Sequence, residues 1–120
     1  MNYNYFQTHK YDRSQTVVSL LKKSMTANKN KIALVYKDRR ITYGELDILS
    51  DKIAQFLKNH GAGKEKVVSI FLSRSEMMIV AAVGALKAGC AYQPLDPSYP
   101  NDRLKFMVED SEAIALITEN

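Results

Sequence analysis

Residues 86–97 read LKAGCAYQPLDP, and this stretch is the most informative part of the sequence for the fold class. Its first letters complete an apolar helical run, and Gly89 is the residue type that most readily ends a helix. Residues 91–93 predict a short strand, which Pro94 and Pro97 confine to the segment before them. The helical run is rich in small residues that permit close packing on a sheet or a neighbouring helix: Ala81, Ala82, Gly84 and Ala85.

The clearest helix in the sequence follows Thr42. Thr42 and Glu45 have the spacing of a capping box, in which the threonine hydroxyl accepts from the glutamate backbone N–H and the carboxylate reaches back. Gly61 and Gly63 predict the end of this helix. Apolar residues recur at helical spacing on one side, and charged residues occupy the other. The predicted buried stripe is Leu46, Leu49, Ile53 and Leu57, and the predicted solvent side is Asp47, Asp51, Lys52 and Lys58.

The remaining segments alternate between helical and strand patterns. Helices are predicted at residues 16–28, 76–87 and from Pro100 onward, with Pro100 in the first helical turn, where proline is tolerated. Strands are predicted at residues 32–36, from Ile41, and at 67–72 and 114–118, the last two of them buried. Residues 37–40 are a polar turn, which makes the first two strands a hairpin. The fold class is therefore α/β: a layered, partly parallel sheet with flanking helices and a small N-terminal hairpin.

Composition indicates an ordinary globular domain: 120 residues, 46% of them hydrophobic and 25% charged. One cysteine cannot form an internal disulfide, so a reducing cytoplasm is the expected location. No signal peptide or membrane span is predicted. Residues 1–40 carry nine Lys/Arg and two Asp, whereas residues 41–120 carry eight Lys/Arg and eleven Asp/Glu. We interpret the basic first third as solvated surface and predict neither a nucleic-acid nor a membrane partner.

Signatures of catalysis are missing from the sequence. It contains no GxxxxGK[ST], GxGxxG, GxSxG or HExxH motif. His60 lies at a helix end, and Cys90 follows a glycine and is interpreted as a packed apolar residue. Residues 73–75 form one polar cluster after a strand, with Ser75 as the helix cap, and Asp96 is interpreted as a turn acceptor. We assign no catalytic, cofactor-binding or metal-binding residue.

Four segments of the chain nevertheless resemble one family in order and at natural spacing. ITYGEL at residues 41–46 and LKAGCAYQPLDPSYPNDRL at 86–104 resemble the first two core motifs of amino-acid adenylation domains of nonribosomal peptide synthetases, within the adenylate-forming ligase (AMP-binding) superfamily. The run at 72–89 and FMVEDSEAIALIT at 106–118 also fit. The motif positions, with a structural role, are Thr42, Tyr43, Glu45, Leu46, Leu86, Lys87, Ala88, Gly89, Ala91, Tyr92, Pro94, Leu95 and Asp96.

The resemblance implies that residues 16–120 are the first part of an adenylate-forming ligase N-terminal subdomain, preceded by a flexible leader at 1–15. In the intact family enzyme, ATP and Mg²⁺ convert an amino acid to its aminoacyl-adenylate, and the acyl group then passes to a carrier-protein thiol. The family's phosphate-binding loop and catalytic lysine would lie beyond this sequence, so the chain alone is predicted to be inactive. Cys90 and Gln93 depart from the residues most frequent at their positions.

Two alternatives remain open at this point. The chain could be a non-catalytic interaction module that complements a split synthetase or binds neighbouring synthetase subunits. It could also belong to another adenylate-forming ligase, such as an acyl-CoA or D-alanyl carrier-protein ligase. In each case the sheet is expected to present a free strand edge or an uncovered apolar face, and the isolated chain is expected to self-associate.

Overall fold

A computed structural model describes residues 17–73 and 76–119. In chain order these form α1 (Val17–Ala27), β1 (Ile32–Tyr36), β2 (Arg39–Thr42), α2 (Tyr43–Asn59), β3 (Val67–Phe71), α3 (Glu76–Lys87), β4 (Ala91–Pro94), α4 (Asn101–Ser111) and β5 (Ala115–Thr118). The order of helices and strands is the predicted one, and the α/β class is confirmed. The predicted leader at 1–15, the helix start at Thr16 and the cap at Ser75 lie outside the described residues.

Three strands form a parallel sheet in the order β4–β3–β5, while β1 and β2 form an antiparallel hairpin. β3 occupies the centre of the sheet, and its middle residues Val68, Ser69 and Ile70 are buried. A strand that has neighbours on both sides and is packed on both faces typically has a continuous apolar sequence. The prediction of a buried parallel strand from residue 67 is therefore confirmed.

β5 does not match the prediction of a buried strand at 114–118. It begins at Ala115, and its side chains alternate between half-buried and exposed. Leu116 is 50% exposed. Within the described part of the chain, β5 pairs with β3 alone, so its outer edge is open. The prediction was wrong because an apolar run shows what a strand can bury and does not show which neighbours cover it.

One face of the sheet is covered by α2 and α3. Alternate residues of a strand point to opposite faces, and Val68 and Ile70 point toward these two helices. Cys90 is packed among the same side chains as a small apolar residue, as predicted. The fully buried members of this main core are Ala54, Leu57, Val68, Ile70, Leu72, Ala81, Ala85, Ala88 and Cys90.

A second core joins α1 and the hairpin to the outer side of the α2–α3 pair. Its buried members are Met25, Leu46, Val80 and Val83. An ion pair adds to this contact, because Arg39 of β2 donates to the buried carboxylate of Glu76 at the start of α3. The Arg39 guanidinium holds the pKa of Glu76 below its ordinary value. The hairpin is thus attached by apolar packing along its length and by one charged contact at its end.

The helix ends follow the local sequence. The Glu45 N–H donates to Thr42 Oγ1 at 3.1 Å and the Thr42 N–H donates to Glu45 Oε1 at 3.0 Å, so the predicted capping box is confirmed. Gly89 has a φ of 81°, a left-handed conformation that ends α3 at low steric cost. Pro100 is the N-cap of α4, one position before the predicted first turn. Its extended ψ of 148° precludes a helical assignment.

Close approach of α2 and α3 depends on the absence of a side chain at Gly84. A Cβ placed there would lie 2.6 Å from Ile53 Cγ2, 2.7 Å from Ile53 Cβ and 3.1 Å from the Ser50 carbonyl oxygen. These distances are shorter than van der Waals contact, and two of the atoms are fixed to the backbone or next to it. Gly84 therefore packs against a neighbouring helix, while Ala81 and Ala85 pack in the main core with Val68 and Ile70 of the sheet, so both predicted partners are found.

We predict that Gly84→Ala destabilises the protein by about 1–3 kcal/mol, because overpacking outweighs the gain in helix propensity. Chemical denaturation of the full chain measures this. Gly63→Ala is the matched control, since a Cβ there meets nothing within 4 Å, and its stability should change little. In a protein that also carries Ile53→Ala, Gly84→Ala should lower the free energy of unfolding by less. Equal stability of the Gly84 and Gly63 variants would contradict the close contact.

Candidate functional site

The helix that the first motif begins and the helix that the second motif ends meet in a cluster of four charged side chains, which we call the charged clamp: Lys22, Asp47, Asp51 and Lys87. Lys87 ends α3 within the second motif, and its side chain is only 6% exposed. Its ammonium group donates to Asp47 Oδ1 at 2.6 Å, to the Asp47 carbonyl at 3.2 Å and to Asp51 Oδ1 at 2.8 Å. All three N–H donors of the lysine are therefore used. Asp47 and Asp51 lie one turn apart on α2, the helix that the first motif begins.

Lys22 of α1 completes the clamp from the solvent side. Its ammonium group lies 3.1 Å from Asp47 Oδ1 and 3.0 Å from Asp51 Oδ2. Two lysines thus balance two carboxylates. Burial raises the pKa of Asp47 and of Asp51, but the hydrogen bonds from Lys87 and Lys22 outweigh it and hold both pKa values below the ordinary 3.8. The same bonds to Asp51 and Asp47 raise the pKa of Lys22.

Sequence reasoning did not find this clamp. It placed Asp47 and Asp51 on the solvent side of their helix and assigned Lys22 to solvated surface. The structure instead uses these groups to join three helices. A usable signal was present, because two carboxylates four residues apart on one helix create a paired negative site that a buried cation can satisfy. The partner could not be identified, since Lys87 is 40 positions away from Asp47 in the sequence.

The other motif positions serve the local fold. Thr42 and Glu45 cap α2, while Tyr43 and Leu46 pack in the second core. Leu86 is half-buried, Ala88 lies in the main core, and Gly89 ends α3. The N–H of Ala91 donates to the Lys66 carbonyl, and that of the buried Leu95 donates to the Ile70 carbonyl. Tyr92 and Pro94 are exposed. Asp96 Oδ1 accepts from the Ser98 N–H at 2.9 Å, as predicted for a turn acceptor.

The carboxyl ends of β3 and β4 border a cleft of about 620 Å³. Its lining includes Ser73, Met78, Leu95 and Asp96. Beside it, the backbone N–H and the hydroxyl of Ser73 both donate to Glu119 Oε1, at 3.0 and 2.9 Å, and these bonds hold the pKa of Glu119 below its ordinary value. Sequence reasoning identified the polar cluster at 73–75 and missed Glu119. Arg74 and Ser75 of that cluster lie outside the described residues.

The open edge of the sheet, which we define as β5 together with the outer side of α2, exposes several large apolar side chains. Leu116 of β5, Phe56 of α2 and Ile48 of α2 are 50%, 61% and 58% exposed. A groove of about 440 Å³ runs between the two elements, beside Lys52 and Phe56. An edge strand with unpaired backbone groups and a flanking apolar surface is suited to accept a further strand.

The described residues offer no prepared site for a metal ion. Among residues 17–73 and 76–119, three His, Cys, Asp or Glu side chains nowhere converge on one point. The carboxylates of the clamp are already neutralised by lysines. Over the same residues, no helix is both long and apolar enough to cross a membrane.

The fold is a parallel α/β sheet with helices packed on its faces, and comparison with known proteins identifies the family. The chain matches the family model described as AMP-binding enzyme over residues 21–120, and it belongs to that family.

Two relatives illustrate the similarity in sequence. The chain is 37% identical over 110 residues to N-(5-amino-5-carboxypentanoyl)-L-cysteinyl-D-valine synthase of Penicillium rubens, a match that covers 92% of this chain and 3% of that protein. It is 42% identical over 97 residues to Surfactin synthase subunit 3 of Bacillus subtilis, covering 81% of this chain and 8% of that protein. The chain therefore spans a small part of the length of these relatives.

Two solved structures show the same fold. The N-terminal subdomain of NpsA from Klebsiella oxytoca superposes with a TM-score of 0.78 at 23% identity, covering 88% of this chain and 28% of that one. The nonribosomal peptide synthetase FmoA3 superposes with a TM-score of 0.83 at 24% identity, covering 86% of this chain and 11% of that one. With the sequence relatives, these structures show that the chain corresponds to the N-terminal part of an adenylation domain.

We predict that Lys87→Met destabilises the protein at pH 7 by about 1–3 kcal/mol, because two partly buried carboxylates keep only the exposed Lys22 as partner. A carboxylate whose pKa is lowered by folding stabilises the protein above its ordinary pKa and loses that effect as the pH falls through the lower, folded value. The difference between wild type and variant should therefore be full above pH 5 and shrink below pH 4.

Urea denaturation at a series of pH values, together with NMR titration of the Asp47 and Asp51 carboxyl carbons, measures this difference. The pKa of both carboxyls should rise in Lys87→Met. Lys58→Met removes an exposed lysine from the same helix, α2, and should leave both the stability and the two pKa values nearly unchanged. A stability difference that is constant from pH 7 to pH 2 would exclude the clamp as its cause.

We predict that the full chain self-associates through the open edge. Leu116→Lys should weaken this association about tenfold or more, because a buried leucine contributes about 1.5–3 kcal/mol and a lysine on an edge strand opposes pairing. Sedimentation velocity over a range of concentrations measures the effect. Val35→Lys is the matched control, since Val35 is an exposed apolar residue of the hairpin. If both variants or neither restored the monomer, the open edge would not be the contact.

Proposed function

We propose that the chain is the structural beginning of a domain that activates amino acids for nonribosomal peptide synthesis. The single observation that supports this most strongly is the charged clamp. It joins the helix begun by the first motif to the helix ended by the second, so the two motifs build one rigid unit. In this role the chain supplies scaffold: its paired charges position helices, and its open edge receives the sequence that carries the reacting groups.

The parent reaction joins an amino acid to ATP, forming the aminoacyl-adenylate and pyrophosphate, and then transfers the acyl group to a carrier-protein thiol. AMP-binding enzymes use ATP and Mg²⁺ in general, and the intact domain would do so here. The described residues do not form a site for Mg²⁺, because the carboxylates of Asp47 and Asp51 are paired with lysines and that of Glu76 is paired with an arginine. We therefore derive no catalytic step from this chain and propose that it is inactive alone.

The partners proposed for the chain follow from its open surfaces. The remainder of the adenylation domain would pair with β5 and cover Leu116 and Phe56. Neighbouring synthetase subunits and a carrier protein would then contact the completed domain. A cytoplasmic location is also part of the proposal, and it is supported by the free, buried thiol of Cys90.

The second candidate function is that of a complementing module in a split synthetase, which binds a separately encoded remainder. The exposed Ile48, Phe56 and Leu116 favour it, since such a module needs an apolar docking surface of its own. This candidate uses the same fold and the same edge. It differs in requiring that the chain associate with its remainder after synthesis as a separate polypeptide.

Grafting tests the proposed scaffold role. The 97-residue match in Surfactin synthase subunit 3 is replaced with the corresponding residues of this chain, and ATP–pyrophosphate exchange is measured with a pool of amino acids. We expect exchange within about tenfold of the parent, a barrier change near 1.4 kcal/mol. The same graft carrying Gly84→Ala should lose exchange further, and one carrying Gly63→Ala should not.

The chain alone is the second arm of this experiment, and it should show no exchange above buffer. Adding the remaining portion of the parent domain as a separate polypeptide distinguishes the two candidate functions, because only a complementing module should restore exchange in trans. A folded graft without activity would contradict the scaffold role. Exchange by the chain alone would contradict the assignment of the reacting groups to other sequence.

A further inference from the structure

α4 is the helix with the weakest anchoring in the described fold. None of its residues, from Asn101 to Ser111, is fully buried. Its N-cap is Pro100, which has no side-chain group that could accept from the first N–H groups. Its C-cap is Glu112, which adopts the left-handed conformation with a φ of 54°, unfavourable for a residue with a Cβ. The N-terminus of α4 therefore lacks the side-chain cap that Thr42 gives α2. Its C-terminus makes the same backbone hydrogen bonds as the end of α3, but with a glutamate instead of a glycine in the left-handed conformation.

A buried polar network holds this helix to the sheet. The hydroxyl of Ser69, which is completely buried in β3, donates to Gln93 Oε1 at 2.8 Å. Ser111 Oγ lies 3.2 Å from the same oxygen and 3.0 Å from the Val108 carbonyl, so its one proton is shared between these two acceptors, and Gln93 Nε2 lies 3.4 Å from the Met107 carbonyl. That carbonyl can only accept, so the amide nitrogen of Gln93 must face Met107 and its amide oxygen the two serine hydroxyls. Gln93 thereby connects β3 and β4 to the last turn of α4.

Apolar packing beneath α4 is incomplete. A groove of about 370 Å³ lies between the helix and the sheet, lined by Phe71, Leu95, Leu104, Val108 and Leu116 among others. At the centre of the opposite face, Ala81 and Ala85 of α3 share the main core with Val68 and Ile70, and the groove on that face lies at its margin, between α2 and β5. The centre of one face is therefore held by close apolar contact, whereas on the other face hydrogen bonds around one glutamine supply the specific contacts.

We propose that α4 is a latch, held closed by the Ser69–Gln93–Ser111 network, which opens as a unit while α1, the hairpin, α2, α3 and the sheet stay folded. Opening exposes the apolar groove and the Leu116 face of β5. None of the helix's own residues is fully buried, and weak anchoring of this kind is the condition for a separate, low-energy opening unit. The inference does not depend on the proposed function, because it concerns the chain's own equilibrium and its test involves no catalysis.

Native-state hydrogen exchange of the full chain tests the latch, with peptides from α4 and from α3 compared by mass spectrometry. Val80→Ala removes buried methyl groups from the second core, which stays intact when only α4 opens. It should accelerate exchange in α3 about tenfold and leave α4 unchanged. Gln93→Leu removes the network, which exists only in the closed state. It should therefore accelerate amide exchange in both α3 and α4 by about three- to tenfold.

The double variant Ser69→Ala/Gln93→Leu removes both partners of the shortest bond. It should slow α4 exchange relative to Gln93→Leu alone, since replacing both partners avoids a buried, unpaired hydroxyl, but α4 should still exchange faster than in the wild type because the network is gone. Ser111→Ala, which removes one bond, replaces Gln93→Leu if the latter does not fold. Equal acceleration of α4 and α3 by Val80→Ala would overturn the latch, because α4 would then open only with the whole domain. Unchanged α4 exchange in Gln93→Leu and Ser111→Ala would show that the network does not hold α4 closed.

Discussion

The contact between α2 and α3 is the constraint on which the rest of this structure depends. Gly84 allows the two helices to approach until Ile53 and the Ser50 carbonyl fill the space that a side chain would need. Only at this separation does Lys87 reach the carbonyl and carboxylate of Asp47. The pair then presents a continuous apolar surface to β3. Helix spacing, the charged clamp and the covered face of the sheet thus share one steric cause.

The clamp also explains why a lysine can be buried here at acceptable cost. Removing an ammonium group from water is unfavourable unless its charge and all its donors are satisfied. Lys87 meets both conditions through two carboxylates and one carbonyl, and Lys22 balances the second negative charge from outside. Because Lys87 is the last residue of α3, satisfying it also fixes where the chain leaves the helix. Gly89 and β4 follow within a few residues, so the charge pairing at α2 aligns the edge of the sheet.

The local elements of this fold could be predicted from the sequence, and the long-range pairings could not. The capping box at Thr42 and the glycine that ends α3 depend on neighbours within four residues, so their pattern is complete in the sequence. Lys87, Asp47 and Lys22 become partners only through tertiary packing. The exposure of Leu116 depends on what lies beside β5. An apolar strand has the same sequence pattern whether its neighbours cover it or leave it exposed. The role of Gln93 required knowing that Ser69 is its parallel-register neighbour.

The two faces of the sheet give the molecule an uneven distribution of stability. On the face covered by α2 and α3, alanines and a glycine permit close contact at the centre, and separating these helices from the sheet would disrupt the main core. On the other face, a single helix without a fully buried residue rests above a groove, and a glutamine supplies the specific contacts. Polar contacts of this kind are directional but contribute little net energy, because water offers the same bonds after opening. Structural change is therefore expected at α4, while α2 and α3 stay packed on the other face of the sheet.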